Sequence, residues 1–148
     1  MEKDYRYNLT RYFGHGKHVV FIGLNPSTAT ESDDDPTVRR MIGFAKAWGF
    51  GSMTVVNLFA IRATKPNEML KHSDPIGQHN DEAIRTALYR SDLNIACWGN
   101  HGSHLNRDNV IKSMGYDLHC IWLNKNGTPA HPLYLKSEIK PKLFHIVK

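Results

Sequence analysis

Two short loops carry residue types that could do chemistry, and they lie far apart in the sequence. Asn25 follows the apolar run 19–22 and precedes Pro26, whereas His131 precedes Pro132 near the other end of the chain. An amide oxygen can orient a water molecule, and a neutral imidazole N–H can stabilise a developing anion. Both side chains must face one cavity for this chemistry. The alternatives are an Asx-type turn at Asn25 and an ordinary surface histidine at position 131.

Further polar residues occupy two loops between these positions. Asn57 closes an apolar run, and a buried amide is costly unless a ligand or the backbone pairs with it. Arg62 and Lys65 follow in the same loop and could bind phosphate or remain surface cations without a specific role. Gly99 and Asn100 lie before a predicted helix, where backbone N–H groups could hold an anion.

Metal-binding residue types are present, but their spacing is not typical of a metal site. Cys97, His101 and His104 form a C-x3-H-x2-H pattern that matches no strong zinc motif. The acidic run 33–35 could bind a divalent cation, although such a run more often forms a solvated helix N-terminus. We therefore expect neither a metal nor another cofactor. Cys97 and Cys120 lie in apolar runs and are expected to be buried, reduced thiols.

Composition limits the class of protein. The chain has 148 residues, which fits a single domain spanning residues 1–148. Its formal net charge of +5 favours polyanionic partners. No apolar run approaches the roughly 20 residues of a membrane helix, and the polar N-terminus lacks a signal-peptide core. We expect a cytoplasmic monomer that has no membrane partner and that binds nucleic acid or a nucleotide.

Four apolar runs predict the strands that must position these loops, and they span residues 19–23, 53–59, 93–98 and 118–123. Helical spacing fills the intervals, with helix starts predicted at Asp35-Pro36, Asp74-Pro75, Ser103 and Pro132. The dipole of the last helix would lower the pKa of His131. The predicted fold is α/β, a three-layer α/β/α sandwich with a short, mostly parallel four-stranded sheet. The carboxyl edge of this sheet would carry the four loops that contain Asn25, Asn57, Gly99 and His131.

Three short motifs resemble the uracil-DNA glycosylase superfamily. The stretch 23–27, Gly-Leu-Asn-Pro-Ser, resembles the first motif of its mismatch-specific branch, and 131–135, His-Pro-Leu-Tyr-Leu, resembles its second motif. Asn57, Arg62 and Pro66 resemble a stretch of the thermostable branch that has an Asn, a basic residue and a Pro. The chain as a whole resembles the family called domain of unknown function 1643.

The resemblance implies a uracil-DNA glycosylase-like fold and excision of a flipped base. Asn25 matches the position that holds the attacking water, and His131 matches the residue that stabilises the departing base. Because an amide does not accept a proton at neutral pH, Asn25 would act by positioning. Predicted substrate-binding residues are Gly23, Leu24, Pro26, Ser27, Asn57, Phe59, Arg62, Gly99 and Asn100, and predicted DNA contacts are Lys65, Pro132, Leu133 and Tyr134. The alternative is a non-catalytic nucleotide-binding or protein-interaction module on the same fold.

Overall fold

The structure is a computed structural model that describes residues 4–147. In chain order its strands are β1 Leu9–Tyr12, β2 His18–Gly23, β3 Ser52–Asn57, β4 Leu93–Ala96, β5 Leu118–Cys120 and β6 Lys142–His145. Its α-helices are α1 Pro36–Ala47, α2 Pro66–Leu70, α3 Asn80–Arg90 and α4 Arg107–Lys112. Two short 3-10 helices, Gly99–His101 and His104–Asn106, precede α4.

All six strands form one mixed sheet in the order β1-β3-β2-β4-β5-β6. The four apolar runs supply its parallel centre, because β2 pairs in parallel with β3 and β4, and β4 with β5. The two edge strands are antiparallel to their neighbours. The prediction of four strands is therefore wrong in number. An edge strand exposes part of its surface, so β1 and β6 lack the continuous apolar run that marks a strand buried on both faces.

Helices cover both faces of the sheet. Val19 and Phe21 point to one face, where they share a hydrophobic core with Phe44 of α1. Val20 points to the opposite face and shares a second core with Ile84 of α3, together with side chains from α2 and α4. This alternation along β2 follows from the two-residue period of a strand, and it confirms an α/β architecture with helical layers on both sides.

Helix starts agree with the sequence only for α1. The carboxylate of Asp35 accepts a hydrogen bond of 2.8 Å from the backbone N–H of Val38, as an N-cap residue does. The second helix does not begin at Asp74-Pro75, since α3 starts at Asn80 and α2 starts earlier, at Pro66. Ser103 precedes the 3-10 helix His104–Asn106 without a side-chain capping bond, and the third predicted α-helix begins only at Arg107.

The predicted helix after Pro132 is wrong. Turns follow this residue, and β6 then pairs with β5. Strand pairing decides this segment, because an edge of the sheet is open beside β5 and Pro141 would interrupt helical hydrogen bonding. Within residues 4–147 no helix combines the length and apolar character needed to cross a membrane, α1 having 12 residues.

Candidate functional site

A cavity of about 270 Å³ lies beyond the carboxyl ends of β2 and β3. The structure brings eight of the predicted site residues to its wall: Gly23, Leu24, Asn25, Pro26, Ser27, Asn57, His131 and Leu133. The two loops that were separated by a hundred residues of sequence therefore meet at one cavity. The parallel strands β2, β4 and β5 end at the same edge of the sheet, so the loops that follow β2 and β5 lie at that edge although β4 separates the two strands.

Register places Asn57 at the base of the cavity. Asn57 pairs with Gly23 across the parallel strands β2 and β3, and its side chain is 3 % exposed. The Nδ2 atom of Asn57 is buried and has no hydrogen-bond partner among residues 4–147. Its backbone carbonyl, in contrast, accepts a 2.9 Å hydrogen bond from the side chain of Asn80. The backbone at position 57 is thus held in place while its amide group remains available.

Buried polar residues beneath the cavity hold the chain after β3. The Asn80 amide also donates to the carbonyl of Leu58 at 3.0 Å. Arg107, which is 2 % exposed, donates from Nε to the same carbonyl at 2.9 Å and forms a 2.7 Å ion pair with Asp81. Neither Asn80 nor Arg107 was predicted from the sequence. Their only sequence signal is a polar residue at the start of a helix, which is common in any protein.

Asn25 is held with its amide nitrogen turned toward backbone carbonyls. Nδ2 donates to the carbonyl oxygens of Pro26 at 3.1 Å and Ala63 at 2.9 Å. Oδ1 of Asn25 receives no hydrogen bond from the described part of the chain, so the side chain does not form the Asx-type turn considered above. An amide fixed through its nitrogen presents its oxygen as a hydrogen-bond acceptor for a ligand or a water molecule.

His131 lies exposed at the rim of the cavity in a defined tautomer. Its Nδ1 accepts a hydrogen bond of 3.2 Å from the backbone N–H of Leu133. A neutral imidazole with an accepting Nδ1 carries its proton on Nε2. Partial desolvation by the surrounding chain lowers the pKa of His131, although the residue keeps exposed surface, and the nearby carboxylate of Asp35 opposes this shift. No helix begins here, so the helix-dipole explanation is wrong and desolvation replaces it.

Two charged residues of the cavity wall were not predicted. Asp35 is 7 % exposed and accepts backbone hydrogen bonds on both oxygens, from Val38 at 2.8 Å and from Ala29 at 3.2 Å. Arg6 is 8 % exposed and donates from Nη1 to the carbonyl of Ala29 at 2.9 Å. The solvated position expected for the acidic run is therefore wrong for Asp35, although Asp33 and Asp34 are exposed.

Arg6 reaches the cavity through a long-range backbone contact. Its N–H donates to the carbonyl of Ala60 at 2.9 Å, beside a bridge between Tyr5 and Ile61. Burial lowers the pKa of Arg6 to about 10, with a further contribution from Arg62 and an opposing one from Asp35. The guanidinium remains charged at neutral pH. No local sequence pattern around Arg6 predicts that it lies on the cavity wall.

Much of the remaining wall is apolar, with Val38, Met41, Val55 and Cys97, and Thr37 and Thr64 add hydroxyl groups to it. Burial raises the pKa of the Cys97 thiol far above neutral, so this cysteine is a protonated wall residue and not a nucleophile. Cys97 and Cys120 are both free and buried, which confirms the prediction of reduced thiols. Among residues 4–147 no group of three or more His, Cys, Asp or Glu side chains has a metal-binding arrangement.

Three predicted ligand contacts lie away from the cavity wall. Phe59 is fully buried and packs against His104 with ring centroids 5.5 Å apart. Arg62 lies beside the cavity, where its Nη1 donates to the carbonyl of Ala29 at 3.3 Å. Lys65 is exposed at the start of α2. Phe59 therefore has a core role in this structure, because a ring with no exposed surface cannot contact a ligand.

The predicted site residues in the loop after β4 and in the segment after His131 also lie away from the cavity wall, except Leu133. Gly99 has a φ of +75° and donates its N–H to the carbonyl of Pro129 at 2.8 Å. Asn100 accepts hydrogen bonds from Asn126 and Thr128 at 3.1 Å each. These contacts join two loops and occupy the Gly99 N–H, so this donor is not free for an anion. Pro132 is buried, whereas Tyr134 is 93 % exposed with a φ of +72°.

A comparison with protein-family models found one match, described as a protein of unknown function, DUF1643, over residues 6–133. The matched span begins at Arg6 and ends at Leu133, so it includes every residue of the cavity wall. No curated protein and no solved structure matches the chain.

Proposed function

The chain belongs to the DUF1643 family, and we propose that its cavity binds a uracil-like base and that the protein hydrolyses the N-glycosidic bond to that base. The observation that carries this proposal is the presence of Asn25, Asn57 and His131 on one cavity wall. The proposal includes a uracil-DNA glycosylase-like fold. The positions of the two motifs, one directly after β2 and one after β5, support this inclusion.

Asn57 is the proposed reader of the base. Its amide is 3 % exposed and its Nδ2 is unpartnered among residues 4–147. A buried donor without a partner is destabilising by about 1–3 kcal/mol, and a ligand carbonyl would remove that penalty. The edge of a uracil-like base alternates carbonyl acceptors with an N–H donor, which complements an amide group.

The size and lining of the cavity favour a small, flat ligand. Its volume of about 270 Å³ lies slightly below the range of about 300–1,000 Å³ typical of sites for drug-sized molecules. Met41 and Val55 provide apolar surface in the same wall as the polar groups. A planar ring could contact these side chains with its faces and the amides with its edge.

The proposed reaction breaks the bond between the sugar C1′ and the base nitrogen. The electron pair of this bond passes to the base, which leaves as an anion. The Nε2–H of His131 would donate a hydrogen bond to that anion. A water molecule held by Oδ1 of Asn25 would form the new bond to C1′. The proton that this water releases is finally taken up by the base, so hydrolysis yields the sugar hydroxyl and the neutral base.

A polynucleotide substrate would meet the rim of the cavity first. Tyr134 is almost fully exposed there in a left-handed backbone conformation, next to Leu133 on the wall. An exposed aromatic ring can stack on a base. Together with the exposed Lys65 and with Leu133, this ring would form the proposed DNA contact, to which the buried Pro132 adds no surface.

Binding without cleavage is the second candidate function, and Asp35 favours it. Asp35 is the one carboxylate among the described residues of the cavity wall, and backbone N–H groups occupy both of its oxygens. The wall therefore lacks a carboxylate that is free to accept a proton from water. A protein with this arrangement could sense or sequester a nucleotide.

Thermal unfolding with ligands and an assay for released base test both functions. Uracil and deoxyuridine should raise the unfolding temperature in a concentration-dependent way, and a uracil-containing oligonucleotide or deoxyuridine should yield free uracil by chromatography. Stabilisation without release would support binding alone. An unchanged unfolding temperature together with no release would contradict both functions and favour a protein-interaction module.

A further inference from the structure

We infer that the cavity also holds a phosphate monoester at Arg6, so that the ligand is a nucleoside monophosphate and not a base within a polynucleotide. This inference rests on the proposed function, which assigns the base end of the cavity. It concerns a different residue and a different chemical group.

Arg6 is a buried cation with few partners. Its side chain is 8 % exposed and lies on the cavity wall. A guanidinium has five N–H donors. Among residues 4–147, Nη1 donates to the neutral carbonyl of Ala29, and Nε has no partner. A buried charge is costly unless it is paired and hydrogen-bonded, so an anionic ligand would supply what the protein does not.

Nearby charges do not neutralise this guanidinium. Asp35 is close enough to favour the charged form of Arg6, but the two side chains form no ion pair, and the oxygens of Asp35 accept from backbone N–H groups. Arg62 directs its own guanidinium at the same carbonyl of Ala29, at 3.3 Å. Two like charges that converge on one neutral oxygen are stabilised when an anion lies near them.

Hydroxyl groups that suit phosphate oxygens lie on the same wall. Ser27, Thr37 and Thr64 all line the cavity. Thr37 also belongs to the first turn of α1, a helix of 12 residues. Because the carboxylate of Asp35 already caps this helix, the helix end is not counted toward the site. A phosphate at Arg6 would meet a guanidinium and hydroxyl donors in one small volume.

The burial of Arg6 distinguishes a monoester from a diester. A group that contacts a side chain with 8 % exposure must enter the cavity. The phosphodiester of a polynucleotide is connected to a sugar on both sides, so two lengths of chain would have to pass through the opening. A monoester is a terminal group and needs only one connection. It can also carry a second negative charge, which strengthens pairing with a guanidinium.

Binding measurements with three probes test this inference. Deoxyuridine lacks the phosphate, deoxyribose 5-phosphate lacks the base, and deoxyuridine 5′-monophosphate has both groups. The monophosphate should bind wild-type protein about tenfold or more tightly than deoxyuridine, as one hydrogen bond between charged groups implies. Arg6→Gln should remove this advantage without weakening deoxyuridine. Arg85→Gln is the matched control, because Arg85 is exposed on α3 and does not line the cavity.

The outcomes separate this inference from the proposed function. Equal affinities of wild-type protein for deoxyuridine and its monophosphate would overturn the phosphate site and leave the base site intact. This comparison needs no variant, so it holds even if Arg6→Gln fails to fold. Binding of deoxyribose 5-phosphate that depends on Arg6, without any binding of deoxyuridine, would support the phosphate site and contradict the base site. An oligonucleotide that binds through Arg6 as tightly as the monophosphate would overturn the monoester assignment.

Discussion

A Cβ atom built on Gly23 would lie 2.6 Å from Oδ1 of Asn57. The two residues are direct partners across β2 and β3, so the absence of a side chain at position 23 makes room for the amide at position 57. The first motif and the second polar loop are thus parts of one packed unit. Glycine is required here for a steric reason, because a Cβ atom at position 23 would overlap the side chain of Asn57.

Gly23→Ala should displace the Asn57 amide and weaken base binding. We expect a stability loss of about 1–3 kcal/mol, as for other overpacked positions, together with loss of the ligand-induced rise in unfolding temperature. Gly43→Ala is the control, since a Cβ there meets nothing within 4 Å and alanine is favoured in a helix by about 1 kcal/mol. Base binding by Gly23→Ala at wild-type strength would show that the Asn57 amide is not the reader.

Asn57→Leu should abolish base binding without destabilising the free protein. Replacing a buried donor that has no hydrogen-bond partner with an apolar group leaves the free energy of unfolding nearly unchanged or raises it. Asn80→Leu, by comparison, removes the donor to the carbonyls of Asn57 and Leu58 and should lower stability by about 2 kcal/mol or more. Urea denaturation of both variants measures this contrast. A large stability loss in Asn57→Leu would indicate a structural role for its amide.

Asn25→Ala and His131→Ala should each reduce turnover strongly and change the free energy of unfolding only modestly. Asn25→Ala also loses two hydrogen bonds from Nδ2, so we expect it to be destabilised by about 1–2 kcal/mol. Its rate of base release should fall by about 100-fold, within the usual range for a positioned catalytic group. Steady-state release of uracil, measured well below each unfolding temperature, tests this. Unchanged release in both variants would contradict the proposed mechanism.

Stability should fall as the solution is acidified, partly through His131. The folded protein lowers the pKa of this imidazole, so the unfolded chain, with an ordinary pKa of about 6.5, binds the proton more readily. Stability is therefore greatest above that value and decreases as pH falls through the lowered pKa. Protonation also removes the Nδ1 acceptor of Leu133.

Urea denaturation of wild type and His131→Gln at about pH 7.5 and pH 5 measures this effect. The variant should lose less stability than wild type on acidification. His18, whose pKa is also lowered by burial, is present in both proteins and so cancels in the comparison. Equal losses in the two proteins would assign the pH dependence to other groups.

Asp35→Ala should destabilise the protein by about 2 kcal/mol, the upper end of the range for loss of a helix N-cap. Its oxygens accept from Val38 at the start of α1 and from Ala29 in the preceding loop. Asp34→Ala is the control within the same acidic run. It removes an exposed ion pair with Arg11, and such pairs contribute about 0–1 kcal/mol. Similar losses in the two variants would contradict the buried role of Asp35.

The local sequence pattern predicted the central strands and the start of α1, which depend on residues that are neighbours in the sequence. The apolar runs identified β2, β3, β4 and β5, since a strand buried on both faces must be apolar along its length. Asp35-Pro36 identified the start of α1, because cap and helix are neighbours in sequence. The same reasoning failed for β1 and β6, which are short, partly exposed and stabilised by pairing with a distant strand.

The sequence by itself determined which residue types stand after each central strand, and therefore that Asn25 and Asn57 would share an edge of the sheet. Only the tertiary structure decided what surrounds them. The placement of Arg6 depends on contacts with the distant residues Ala60 and Ala29, and the tautomer of His131 depends on turns that replaced an expected helix. Such contacts have no periodic signature, because they arise from chain packing in three dimensions and not from the spacing of residues along the chain.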